Sequence, residues 1–152
     1  MSEGTYTIKV RVIQSDVFNW FSIVEKTVFA DGYWTECDGE HKLTMTRSGT
    51  SGILHFRNKE PNGSFQVALG VHNFKRWCDI VDNSEKAETA VMVHPTYYPD
   101  KDGNHDYPGN RWDVLWKQRD NFQMTLDSSG FTVTVDYYVK DGFDLCATIT
   151  II

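Results

Sequence analysis

Polar and apolar residues alternate in the stretch TYTIKVRVIQ. Tyr6, Ile8, Val10 and Val12 fall on one side, with threonine, lysine and arginine opposite. A period of two predicts a strand with one buried face. Similar short strands are predicted at His41–Thr46, Ile53–Arg57, Ser64–Leu69, Glu88–His94, Asn121–Leu126, Phe131–Val139 and Leu145–Ile151. The clusters DGYW, RSGTSG, KEPNGS, DSSG and KDGFD punctuate them as turns, because Gly, Asn, Asp and Ser accept the backbone angles that turns need. Strands this short and frequent predict a mainly β fold, an antiparallel β-sandwich, in one domain spanning residues 1–152.

Two segments depart from the alternation. SDVFNWFSIVEK places Phe18, Phe21 and Val24 at helical spacing, with Ser15 or Asp16 available as the N-cap. GVHNFKRWCDIVDN places Phe74, Trp77, Cys78 and Val81 at i, i+3, i+4 and i+7, which predicts a second helix. Its charges oppose the helix dipole, with Lys75 and Arg76 in the first turn and Asp79 and Asp82 toward the end. Such a conflict between local preference and sequence marks candidate functional positions. From His94 to Trp116 the chain reads as a long loop rich in Pro, Gly, Asp and aromatic rings.

Composition narrows the function. Five Trp, seven Tyr and nine Phe exceed what a core of this size needs and suit a surface that stacks on a ligand. The net charge of −6, with no basic stripe, argues against a nucleic-acid binder. The opening MSEGTYTIKVRVIQ lacks the pattern of a secretory signal, and no apolar run approaches the length of a membrane span. Cys37, Cys78 and Cys146 are odd in number and lack CxxC spacing, so buried free thiols in a reducing compartment are expected. A cytoplasmic location follows as the expectation, with non-classical release as the way out of the cell.

Catalytic and metal patterns are sparse. No GxSxG elbow is present, and His41, His55, His72, His94 and His105 lack zinc spacing. DKDGNHD resembles a calcium loop, but Gly103 falls two places early and the twelfth position is Arg111 rather than Glu. Asp100, Asp102 and Asp106 show no acid–base spacing. No cofactor or metal is expected, and no enzyme. The loop RSGTSG reads either as a hairpin turn or as a ledge on which a polar ligand lies against the backbone. Asn73 reads either as a helix cap or as a ligand contact.

The blocks SGTSGILHF and VALGVHNFKRWCDIV, with TYTIKVRVIQ, VEKTVF and the closing DYYVKDGFDLCATITII, resemble the fungal fruit-body lectin family of Agaricus and Boletus type. The resemblance implies a β-sandwich with two short helices, similar to the actinoporins. It also implies a homotetramer, glycans on glycoproteins or glycolipids as partners, and a defence role. It implies two sugar sites flanking the helix–loop region. The first, for GalNAc and the T-antigen disaccharide Galβ1-3GalNAc, maps to Ala30, Ser48, Gly49, His72 and Asn73. The second, for N-acetylglucosamine, maps to Asp79 and Ile80, with Ile80 expected at a partly exposed edge.

Departures from the family pattern are local. Asp82 stands where the family has a threonine whose hydroxyl serves the second site. Arg111 stands in for that site's arginine, and Tyr107 or Trp112 for its ring. Thr46 and Arg47 replace a Gly-Gly pair, which puts Arg47 within reach of the first site. The alternative is an actinoporin-like membrane-binding or pore-forming protein. Against it, the first residues run into a strand rather than an amphipathic insertion segment, so no membrane insertion is expected.

Overall fold

The computed structural model describes residues 4–61 and 63–152. The reading of the N-terminal leader and of the KEPNGS turn therefore falls in part on residues 1–3 and 62, outside the described residues. β1 (Tyr6–Gln14) follows its alternation: Tyr6, Ile8 and Val10 are buried while Lys9 and Arg11 are exposed. The strands that follow are β2 (Ser22–Phe29), β3 (Gly32–Cys37), β4 (Glu40–Met45), β5 (Thr50–Arg57), β6 (Ser64–His72) and β7 (Lys75–Asp82). Helices α1 (Ala90–Val93) and α2 (Trp112–Lys117) come next, and β8 (Asn121–Thr125), β9 (Thr132–Val139) and β10 (Asp144–Ile151) close the fold.

Two sheets face one another. One has the order β3-β4-β1-β10-β9-β8 and the other β2-β5-β6-β7. Neighbours are antiparallel except β1 and β10, which run parallel from Thr7–Asp144 to Gln14–Ile151. Ile8, Val10, Ala147 and Ile149 from this pair meet Leu54, Phe56, Val67, Leu69 and Ile80 from the smaller sheet in the main core. A second core covers the outer face of the smaller sheet. There Ile53, Ala68, Trp77 and Val81 pack against Ala90, Val93, Tyr97 and Leu115 of the helical segment.

That second core explains the largest correction. The predicted helix Phe74–Val81 is strand β7, which hairpins onto β6 from His72–Lys75 to Phe65–Asp82. Because the middle of β7 is buried on both faces, its apolar positions run together and imitate helical spacing. The charges that seemed to oppose a dipole meet no dipole, since no helix is there.

The first predicted helix is also a strand. Asp16 does cap, accepting from the backbone amides of Phe18 (3.0 Å) and Asn19 (3.2 Å), but only a 3-10 turn at Val17–Asn19 follows. The Gln14 side chain then holds Phe21 through both its backbone N–H and its carbonyl, each at 2.9 Å, and β2 begins. Phe21 is buried, whereas Phe18 and Val24 are exposed, so the stripe does not exist. Conversely, the predicted strand Glu88–His94 contains α1, capped by Thr89 and by Glu25, whose carboxylate accepts from Ala90 (2.6 Å) and Val91 (3.2 Å). The expected long loop holds a 3-10 turn at His94–Tyr97 and most of α2, so the described residues contain two short α-helices, but not where sequence placed them. DGYW hides β3. The cysteines are free, though only Cys78 is fully buried, where burial pushes its thiol up to about 12. Among the described residues no helix is long and apolar enough to cross a membrane.

Candidate functional site

Hairpin register brings the first group of candidates together. β4 and β5 are joined by the loop carrying Ser48 and Gly49, and β6 and β7 by the turn His72–Asn73–Phe74–Lys75. The two turns bond directly: the Phe74 amide donates to Ser48 Oγ (3.0 Å) and the Gly49 amide donates to the Val71 carbonyl (2.9 Å). The Ser48 hydroxyl is thereby oriented with its own proton left to donate. The Gly49 amide is committed to Val71. What glycine supplies instead is room, since at its φ of 89° a Cβ would meet nothing within 4 Å.

Asn73 caps no helix. Asn73 and Phe74 have φ of 49° and 67°, the geometry of a tight two-residue hairpin turn. Asparagine tolerates that conformation, while phenylalanine is strained in it. The Asn73 side chain is exposed and makes no hydrogen bond among the described residues, and Phe74, next in the chain, is exposed as well.

His72 forms the wall of the group. Its ring meets the edge of Trp116 (centroids 4.4 Å) and of Trp112 (5.2 Å), and Gln118 at the end of α2 donates to its carbonyl (2.8 Å). Burial holds its pKa below the ordinary value, so the ring stays neutral at pH 7, and among the described residues its Nε2 has no partner. Ala30 lies one residue past the Phe29–Ser51 pair, with φ of 65°. Its neighbour Asp31 accepts from the Thr46 amide (3.1 Å) and faces Arg47 (3.5 Å), so Arg47 forms part of the rim.

The second group is divided by strand parity. Asp79 points outward beneath the helical segment, where Tyr97 donates to Oδ2 (2.6 Å) and Arg119 to Oδ1 (3.1 Å). Burial raises its carboxyl pKa, opposed by Tyr97, Arg119 and Arg111. Ile80, one residue on, points the other way into the main core and is only 2% exposed, which corrects the expected partly exposed edge. Asp82 shares the Ile80 parity. It accepts from Ser84 and from the Asp127 amide (2.9 Å), tying β7 to the β8–β9 turn. Asp79 and Asp82 therefore do not form one side-chain cluster.

Arg111 donates to Thr96 Oγ1 (2.7 Å) and lies over the Tyr97 ring, 5.9 Å from its centroid. Tyr107 donates to the Tyr98 carbonyl (2.8 Å) and pins the loop. Trp112 faces His72 and so belongs with the first group. Sequence reading missed Phe74, Tyr97, Trp116, Gln118 and Arg119. The signal for Phe74 was HNFK between two apolar runs, an asparagine-led hairpin turn.

Two rigid turns, a neutral histidine wall and exposed rings beside a glycine gap suit hydroxyl-rich ligands. This is the architecture of a β-sandwich lectin rather than an enzyme. The chain belongs to the fungal fruit body lectin family, whose model matches residues 4–149. It is 40% identical to the Boletus edulis lectin over 149 residues, covering 95% of this chain and 97% of that one. The crystal structure of wild-type Xerocomus chrysenteron lectin is 39% identical with a TM-score of 0.84, covering 97% of this chain and 99% of that one. A mutated form of the same lectin gives 0.85 over 99% and 100%. The lipid binding protein Nakanori, 8% identical with a TM-score of 0.52 over 99% of this chain and 72% of that one, shares the fold alone.

Proposed function

We propose that this lectin recognises GalNAc-terminated glycans, including Galβ1-3GalNAc, at the group formed by Ala30, Ser48, Gly49, His72 and Asn73. The observation that supports it most is the bond from the Phe74 amide to Ser48 Oγ, which locks two turns into one polar ledge. Ser48 donates to a sugar oxygen, and the Asn73 amide both donates and accepts. The open space over Gly49 admits the ring against the backbone. A site built to bond an axial hydroxyl rejects sugars that lack it. A homotetramer would add avidity to individually weak sites on a glycan-bearing surface, in keeping with a defence role.

The test is a glycan array with Asn73→Gly. Glycine keeps the positive φ that alanine would strain, so the side chain is removed without breaking the turn. GalNAc and T-antigen signals are expected to disappear with the fold intact. Unchanged signals would reject the assignment.

A response to N-acetylglucosamine is the second reading, carried by Asp79. Both of its carboxylate oxygens already have partners, and Asp82 faces elsewhere. The proposal is therefore a weakened or altered second site in which Asp79 must exchange a protein bond for a sugar hydroxyl. Calorimetry with N-acetylglucosamine tests it, and full-strength binding would count against it.

A further inference from the structure

The far end of the sandwich holds a cavity of about 380 Å3, unrelated to either group above. It lies between the end of β1, the 3-10 turn after it, the β3–β4 hairpin and Phe56 near the end of β5. The first group sits at the start of β5, six residues and roughly 20 Å away along the strand. The volume falls within the range of small-ligand pockets, about 300–1,000 Å3.

Its lining is selective. Trp20 lines the cavity and is half exposed. His41 lines the cavity and is only 8% exposed, and among the described residues its Nε2 makes no hydrogen bond. Its Nδ1 faces Lys26 Nζ at 3.2 Å and the Glu36 carboxylate at 3.4 Å. Burial, with Lys26 nearby, keeps the ring neutral. Lys26 and Glu36 engage Nδ1, which leaves Nε2 as the ring nitrogen that can bond a ligand hydroxyl, as donor or acceptor according to the tautomer. Glu36 supplies acceptors at the mouth, and its distance of 3.6 Å from Lys26 balances the local charge.

These features exclude whole classes of ligand. A balanced ion pair carries no net charge with which to select a free anion or cation. A wholly apolar guest would leave His41 Nε2 unpaired and strip water from Glu36. The remaining class is neutral and hydroxyl-rich, with one apolar face. A pyranose fits, since its axial C–H groups carry slight positive charge and meet the negative face of an indole.

We propose that this cavity is an additional sugar site, in which a pyranose lies against Trp20 with hydroxyls bonded to His41 Nε2 and the Glu36 carboxylate. It does not depend on the GalNAc assignment.

The full chain, labelled with nitrogen-15, is titrated with methyl glycosides of galactose, glucose and mannose while the Trp20 indole N–H and the His41 ring signals are followed. Choline and inorganic phosphate serve as ionic probes. At least one glycoside is expected to shift both signals in a saturable way, equally in wild type and in Asn73→Gly. Glu36→Gln, at an exposed side chain, is expected to raise the dissociation constant by about tenfold. Trp20→Ala is expected to abolish the His41 response. The proposal is overturned if no glycoside shifts the Trp20 signal by roughly 50 mM, a concentration that detects even very weak binding. It is also overturned if only choline or phosphate acts, or if the response vanishes in Asn73→Gly.

Discussion

The Tyr97 hydroxyl donates a 2.6 Å hydrogen bond to Asp79, joining the helical segment to the outer face of β7 in a buried setting. Arg119 holds the other carboxylate oxygen. Tyr97→Phe removes one bond to a charged acceptor and is expected to cost about 1–3 kcal/mol. Arg119→Met leaves the buried carboxylate without its cation and is expected to cost more, about 3–5 kcal/mol. Urea unfolding of the two variants orders them. A Tyr97→Phe protein less stable than Arg119→Met would show that Arg119 is not the main support of the carboxylate.

The hairpin Asn73–Phe74 stores strain at Phe74, a bulky residue at positive φ. Phe74→Gly is expected to stabilise the fold by about 1 kcal/mol, or a rise of about 2–4 °C in Tm. Glycan binding should weaken at the same time, because the exposed ring beside Asn73 is lost. A thermal melt and an array read the two effects separately, and a variant that gains stability while keeping full binding would remove Phe74 from the site.

Acid sensitivity is expected to centre on His94. It is buried between Thr27 Oγ1 (2.7 Å) and Ser51 Oγ (2.8 Å), with Tyr98 bonded to the same serine. Burial depresses its pKa from 6.5 to about 4. A depressed folded-state pKa means that the unfolded chain takes up the proton first. The stability from neutral His94 is thus complete above pH 6.5 and lost as pH falls toward 4. The loss is on the order of 3 kcal/mol. The difference in stability between wild type and His94→Gln should shrink across that window. A constant difference from pH 7.5 to 4 would reject this assignment.

Glu25, His55 and Ser64 stand in the order of a hydrolase relay, with distances of 3.0 Å and 2.7 Å. The same carboxylate also accepts the first amides of α1, and Asn83 donates to Ser64 (3.3 Å), so the group is a brace between β2, β5, β6 and the helical segment. Glu25→Ala is expected to cost about 2–4 kcal/mol, since it unpairs several donors at once. Array signals at 10 °C should be unaffected. Loss of glycan binding in a folded Glu25→Ala protein would tie this brace to the sugar site.

Sequence alone revealed the elements whose burial is one-sided. β1, β4, β9 and β10 each present one face to the core, and their alternation is plain in the letters. Burial on both faces did not hide β5 and β6, but the pattern failed at β7 and at β3. β7 lost its alternation because the helical layer buries its outer side, and β3 because it is an edge strand with few buried residues. The first candidate group was legible through family resemblance, since Ser48 and Asn73 belong to turns that only pairing brings together. In the second group, the expected helix is strand β7, which sends Asp79 and Ile80 to opposite faces.

The parallel pairing of β1 with β10 has a consequence for synthesis. Thr7 and Asp144 are bonded across 137 residues of chain. As the polypeptide emerges, β1 can join β4 early, but its other edge waits for β10. During that interval Ile8 and Val10 sit on a sheet with one open side, a template for pairing with another copy. Folding of this lectin is therefore gated by the arrival of Leu145–Ile151, and slower completion of the larger sheet favours association of nascent chains over closure of the sandwich.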